Sequence, residues 1–216
     1  MGGVIPLRRE TPVMRAMRRI RSVMAKGLAP VIAFSSGKDS SSLANLVLNT
    51  AREMKEQGEQ PMPILVVHSN TGVEQPEIAQ LAKDELAKMK VFAKKHGLEV
   101  EVRIGQPTLS ASFPVRVIGG RGLPSFPDSR ADCSTDWKVS VNTRLIDQAY
   151  KDLSQRAEVN GVVVMTGVRQ DESIARDQRI KKRGEVAEGV WENDAGKLRA
   201  SPILDFSVDD VWEYLG

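Results

Sequence analysis

With 216 residues, 41% of them hydrophobic, the chain can bury one sizeable core and is read as a single globular unit. Its net charge of +3, from 31 Lys and Arg against 28 Asp and Glu, says little about partners, so the distribution of charge has to carry that question. A single cysteine excludes an internal disulfide framework, two histidines argue against a protein-only zinc site, and the apolar runs are too short for a bilayer, so a cytoplasmic protein with no membrane partner is expected.

Thr11-Pro12 opens a helix, with Thr as N-cap and Pro at the first helical position. Val13, Met17, Ile20 and Met24 mark one face. Arg15, Arg18, Arg19 and Lys26, with Arg8, Arg9 and Arg21, make residues 1–30 a basic N-terminal helix ahead of a 31–216 domain. Two readings stay open for it: a solvated face docked on the domain, or contact with a nucleic-acid backbone, whose phosphates Lys and Arg neutralise regardless of sequence.

Val31 to Phe34 predict a strand buried on both faces. Ser35, Ser36, Gly37, Lys38, Asp39 and Ser40 form a polar turn, and Leu43, Leu46, Val47, Ala51 and Met54 then recur at helical spacing. A strand, a tight turn and a helix in succession aim unpaired N–H groups at the turn, where the helix dipole favours phosphate. Plain connection chemistry also uses Ser, Gly and an Asp cap, but here a Lys and an Asp follow the buried strand without a spacer. The spacing is not that of a Walker loop.

Ile64 to Val67 predict a second buried strand ending in the polar stretch His68 to Glu74. A helix over Pro76–Lys95 follows, closing at His96-Gly97. Leu98 to Ile104 alternate with charges, which predicts a strand near a sheet edge. His68 and His96 show no ligand spacing and read as structural or surface groups. Gln106 to Asp136 lacks periodicity, as a functional loop or lid does, and carries Arg116, Arg121 and Arg130 as cations available to anions. Asn142 to Ala157 reads as helix and Val162 to Met165 as another buried strand, ending in Thr166 to Ser173. Polar turns at the C-terminal ends of strands mark the ligand edge of an open α/β sheet. Val186, Val190 and Trp191 run into the turn Asn193 to Gly196, and Leu198 to Ile203 run back, as in a small C-terminal hairpin. Ser207 caps a last helix so short that the natural polypeptide is expected to continue beyond Gly216.

Five motifs, in a match that runs from about Val31 to Leu215, resemble one superfamily in its own order. SSGKDS, residues 35–40, resembles the SGGxDS signature of the PP-loop ATP pyrophosphatases, with Ser36 in place of the first Gly; a Cβ is tolerated there only if φ stays negative. GVRQDESIAR, from Gly167, resembles the GVRxxESxxR element of the branch similar to phosphoadenylyl-sulfate (PAPS) reductase. SPILDFSVDDVWEYL, from Ser201, resembles that branch's P-I-x-x-W/F-x-x-x-D-V-W segment. RADCSTDWKVSV and NTGVEQPEI are similar to elements of its DNA phosphorothioation members, the DndC and SspD type proteins, with Val141 where that pattern has Pro and Asn70 where it has an acid.

The resemblance implies an α/β fold: an open, mostly parallel twisted sheet with helices on both faces, of the adenine nucleotide alpha hydrolase type. It implies ATP and Mg²⁺ as cofactors and an enzyme that cuts ATP between its α and β phosphates. Ser35, Ser36, Gly37, Lys38, Asp39, Ser40, Ser69, Asn70, Gly167 and Arg169 would hold the nucleotide, with Asp39 on the metal. Lys38, Asp39, Cys133, Arg169 and Glu172 are the catalytic candidates, and Arg121, Arg130, Lys138 and Arg176 would meet substrate or DNA. A structural ion-pair network is the competing reading of the Arg and Glu cluster. The implied reaction adenylates a DNA backbone phosphate for sulfur insertion, with a cysteine desulfurase as sulfur donor, further phosphorothioation subunits as partners and a homodimer as assembly. Cys133, beside Arg130 and Lys138 and ahead of a helix, suits a sulfur acceptor, or else a small buried hydrophobe. Reduction of adenylyl sulfate and a non-catalytic ATP-sensing, DNA-binding subunit are the alternatives.

Overall fold

The computed structural model describes residues 10–120, 122 and 135–216. Its elements are α1 (Pro12–Ala25), β1 (Leu28–Phe34), α2 (Lys38–Glu56), β2 (Ile64–Ser69), α3 (Pro76–His96), β3 (Val100–Gly105), α4 (Ser140–Leu153), β4 (Gly161–Met165), α5 (Ile174–Arg183), β5 (Trp191–Glu192), β6 (Leu198–Ala200) and α6 (Val208–Leu215). The six strands form one sheet in the order β3-β2-β1-β4-β6-β5. All neighbours run parallel except β5, which pairs antiparallel with β6.

Period-two alternation splits the strand side chains between two cores. Ile32, Phe34, Ile64, Val66, Val163 and Met165 join residues of α1, α2, α3 and α6 on one face. Ala29, Val31, Leu65, Val67, Val162 and Val164 meet α4 on the other. Helices therefore cover both faces, as expected, and the central strands are apolar up to His68 and Ser69 at the end of β2, because neither face meets water. Each such Ile, Val or Leu withdraws enough surface to contribute about 1.5–3 kcal/mol.

The local signals hold at several ends. Thr11 Oγ1 accepts from Met14 N–H at 3.2 Å, Gly97 ends α3 at φ 60, and Ser207 and Asp210 form a reciprocal capping box. The expected C-terminal hairpin is present as β5 and β6, and its return strand β6 also lies parallel to β4 as a member of the main sheet. The long loop contains short helical turns at Leu109–Ala111, Pro114–Ile118 and Thr135–Val139, tied together where Trp137 Nε1 donates to the Ala111 carbonyl at 2.6 Å.

The basic first helix is docked. Ala16, Ile20, Val23 and Met24 enter the same core as α2. Arg19, 6% exposed, donates to Glu188 at 2.8 Å, to Asp205 at 2.5 Å and to the Pro202 carbonyl at 2.9 Å. Arg15 bonds Asp205, and Arg18 bonds Glu10 and Glu188. Acids of the same chain thus answer the three arginines that a nucleic-acid contact would have used. No helix among the described residues is long and apolar enough to cross a membrane.

Candidate functional site

β1 leads through Ser35, Ser36 and Gly37 into α2. Ser36 takes φ 61, the one positive φ outside glycine among the described residues. The condition set by the sequence is therefore not met: the Cβ sits on a left-handed backbone, and the hydroxyl stays local, donating to the Ser35 carbonyl at 2.5 Å. Gly37 is the N-cap, so Lys38, Asp39 and Ser40 form the first turn of α2 and not the turn before it. Since no side chain caps this helix, the N–H groups of its first turn are open to an anion. Ser40 Oγ accepts from the Ser35 N–H at 3.2 Å and donates to the Gly37 carbonyl at 2.9 Å, which closes the loop on itself.

The turn after β4 forms the facing wall. A Cβ on Gly167 would stand 2.7 Å from the Asp39 carbonyl oxygen and 2.9 Å from the Ser40 nitrogen, so only glycine lets the two turns touch. Arg169, 2% exposed, donates from Nε to Asp39 Oδ1 at 2.7 Å and reaches the Phe206 carbonyl at 3.5 Å. Lys38 Nζ lies 3.4 Å from Asp39 Oδ2, and Arg176 Nη2 donates to Glu172 Oε1 at 2.9 Å. Between these walls is a cleft of about 270 Å³, lined by Ser35, Gly37, Lys38, Asp39, Gly167, Glu172 and Arg176 among others. It opens between β1 and β4, where the strand order reverses, the usual ligand crevice of an open α/β sheet.

Ser35 also lines an adjoining cavity of about 170 Å³ beside the end of β2. Ser36, Ser69, Asn70 and Lys138 line it too, with Ile78, Ala82, Leu86 and Ile104 as apolar wall. Ser69 Oγ donates to the Trp137 carbonyl at 2.8 Å, and Asn70 Oδ1 accepts from Gly72 N–H at 3.0 Å. Two further lining residues are not among the site candidates, His68 because it reads as a structural or surface group and Asn142 because it reads only as part of a helix. His68 is buried, and its Nδ1 carries the proton because its partner, 3.0 Å away, is the Phe34 carbonyl. Asn142 Oδ1 is buried with no donor. For His68 the available signal was a polar residue closing an apolar strand; for Asn142 there was none.

The candidates thus fall into three groups. Ser35, Gly37, Lys38, Asp39, Ser40, Gly167, Arg169, Glu172 and Arg176 converge around one cleft, while Ser36, Ser69, Asn70 and Lys138 line its neighbour. Arg121, Arg130 and Cys133 lie outside the described residues. Arg116 is paired with Asp136, so its charge is already answered within the chain. Among the described residues no three His, Cys, Asp or Glu side chains gather as a metal site.

Residues 29–216 match the sequence model of the phosphoadenosine phosphosulfate reductase domain. The fold is similar to that of the U34-tRNA thiolase NcsA from Methanococcus maripaludis, solved with its [4Fe-4S] cluster, at 14% identity and a TM-score of 0.55 over 95% of this chain. The chain spans only 64% of that thiolase's length. NAD+ synthetase from Burkholderia pseudomallei is similar at 12% identity and a TM-score of 0.51, over 94% of this chain and 72% of the synthetase. No curated protein matches significantly.

Proposed function

The chain belongs to the phosphoadenosine phosphosulfate reductase domain family, and from that premise we propose that it is an ATP pyrophosphatase that adenylates an oxygen of an acceptor, the acceptor being a DNA backbone phosphate on its way to sulfur insertion. The observation that carries the reading is the contact of Gly167 with the backbone of Asp39 and Ser40, which sets an uncapped helix N-terminus against a turn bearing Arg169, Glu172 and Arg176.

Cutting ATP at the α phosphate brings an anionic oxygen up to a polyanion, so catalysis rests on positioning and on charge placed in advance. The first-turn N–H groups of α2 and the Lys38 ammonium would hold the departing pyrophosphate. The cavity beside β2 would take the nucleoside, its base against Ile78, Ala82 and Leu86. Arg176, turned by Glu172, would meet the acceptor's oxygens as a planar fork. The residues present fit a magnesium ion that arrives with the nucleotide, since such an ion shares phosphate oxygens and needs few carboxylates; Asp39 would hold it through Oδ2, its Oδ1 being bound to Arg169. When bound, that ion would offset charge on the phosphates.

In the sulfur step a persulfide sulfur would form the new bond to phosphorus, AMP leaving with the adenylated oxygen and a thiol reductant taking up the S–S bond; a cysteine desulfurase would load the sulfur, with Cys133 as its acceptor on this chain. The reading of a non-catalytic nucleotide sensor draws on Ser36 and Asn70; the left-handed backbone at Ser36 keeps the shape that a Gly would give, which weakens the part of that support resting on Ser36.

The deciding measurement is product analysis of ATP incubated with the protein and Mg²⁺, with and without duplex DNA. AMP and pyrophosphate, increased by DNA, are expected. ADP and phosphate, or no products under either condition, would overturn the proposal.

A further inference from the structure

Behind the Gly167 turn, Thr166 and Val168 form part of a separate cleft of about 400 Å³, completed by Arg183 and Glu185 at the end of α5 and by the β5–β6 hairpin. Trp191 and Arg199 are register partners in that hairpin, and both line the cleft. Trp191 Nε1 and Arg199 Nε are buried and meet no acceptor in the protein. Buried donors are nearly always paired, so two orphans on facing residues mark a place where an acceptor is missing. No carboxylate among the described residues lies within ion-pair distance of the Arg199 guanidinium. Arg183 bonds Glu185 at 3.3 Å, so those two charges largely answer each other. Glu192 and Asp194 also line the cleft, but both are exposed on the hairpin, where solvent and salt screen their charge. Burial first, then Arg183, weakens the hold of Arg199 on its proton, while Tyr150 and Glu185 oppose; an incoming anion would relieve that strain.

We propose that this cleft binds a phosphate-class oxyanion of the acceptor substrate, with Arg199 turning its guanidinium fork onto the oxygens and the Trp191 indole N–H as a neighbouring donor. The assignment rests on the adenylyl-transfer reading, and its position supports it: Val168 lines both this cleft and the phosphate cleft, so an acceptor can place one anionic group here and its reacting oxygen next door. A nucleic-acid strand carries such a second phosphate in every nucleotide. A small phosphorylated acceptor would use the same chemistry.

The two orphan donors are their own reporters, since indole and guanidinium N–H groups give separate signals in ¹H–¹⁵N spectra. The full chain is titrated with inorganic phosphate, a nucleoside monophosphate and a short DNA strand, and pyrophosphate release is scored in the same samples. Both signals are expected to move to saturation, and Arg199→Met is expected to weaken binding by about tenfold or more, with Arg199→Lys retaining part of it. Saturation by the strand far below the phosphate concentration needed assigns the anion to nucleic acid. Equal potency of strand and monophosphate assigns it to a small acceptor. Signals unmoved by every ligand, or unchanged affinity in Arg199→Met, overturn the site; should that variant fail to give a native amide spectrum, Arg199→Lys carries the comparison. Pyrophosphate release with unmoved signals removes this cleft and leaves the reaction standing, whereas moved signals without release remove its acceptor role and the reaction together.

Discussion

Arg169 donates from Nε to Oδ1 of Asp39 at 2.7 Å, and the two residues are 130 positions apart in the chain. The contact fastens the turn after β4 to the first turn of α2. It also makes Asp39 the counter-charge of a guanidinium that is 2% exposed, so Asp39 has a structural duty that its place in a polar turn does not disclose. Asp39→Ala is expected to cost about 3 kcal/mol of stability, because it leaves a buried guanidinium with only the exposed Asp171, 3.8 Å away, as counter-charge. Asp39→Ala with Arg169→Met should recover part of that loss. Denaturant melts of the two variants check this; equal stabilities would mean that the pair contributes little.

Replacing Ser36 by Gly removes the Cβ from a left-handed backbone. The relief is partly offset by the greater freedom of Gly in the unfolded chain, so a net gain of about 0.5–1 kcal/mol is expected. Ser36→Val should destabilise. A Gly variant no more stable than the parent in urea titration would show that the Ser36 hydroxyl, bonded to the Ser35 carbonyl, offsets the strain in full.

Gly167→Ala puts a methyl group against backbone atoms on the opposite turn, none of which can rotate away. Parting the two turns is expected to cost about 1–3 kcal/mol. The apparent KM for ATP should rise more than at other cleft positions, since the substitution moves the phosphate-facing N–H groups themselves. Wild-type nucleotide affinity in a folded Gly167→Ala protein would refute that geometry.

Acid should loosen the first helix. Burial pushes the Asp205 carboxyl up, but hydrogen bonds from Arg19 and the positive charges of Arg19 and Arg15 outweigh it and hold it below its ordinary 3.8. Hydrogen bonds from Arg18 and Arg19 likewise hold Glu188 below 4.5. A folded value depressed below the unfolded one stabilises fully above the unfolded value and is lost as pH falls through the folded value. Tm should therefore decline below about pH 4, with Asp205 carrying more of the effect because Glu188 is mostly solvent-screened. Arg19→Met should lower Tm at neutrality and flatten the acid limb. Parallel acid limbs for the two proteins would exclude these pairs as the cause.

Those parts of the fold that rest on local pattern were legible. The runs Ile64–Val67 and Val162–Met165 are apolar and β-branched, and both are buried strands; Ser207 and Gly97 are a cap and a helix stop. β1 begins three residues earlier than its pattern suggests, because Pro30 reads as a break and yet sits opposite Val163 in mid-sheet. Other features depend on partners far along the chain, and spacing cannot show them. Arg19 looks like a surface cation until Asp205 and Glu188 are folded against it, and Trp191 and Arg199 look like ordinary hairpin residues until their donors are found without acceptors.

The Arg19–Asp205 pair spans 186 residues, and the family match begins only after α1. On the ribosome, a chain growing at roughly 5–20 residues per second would expose α1 for on the order of ten seconds or longer before Asp205 follows it out. Throughout that interval its arginines lack the acids that later hold them, leaving a basic amphipathic segment next to ribosomal RNA. A segment made long after it thus secures the first helix. Ribosome-bound chains stalled ahead of Glu188 should be cut by trypsin within α1, and chains in which Glu188 and Asp205 have cleared the ribosome should resist; equal cleavage of both would show that the helix docks without its distant partners.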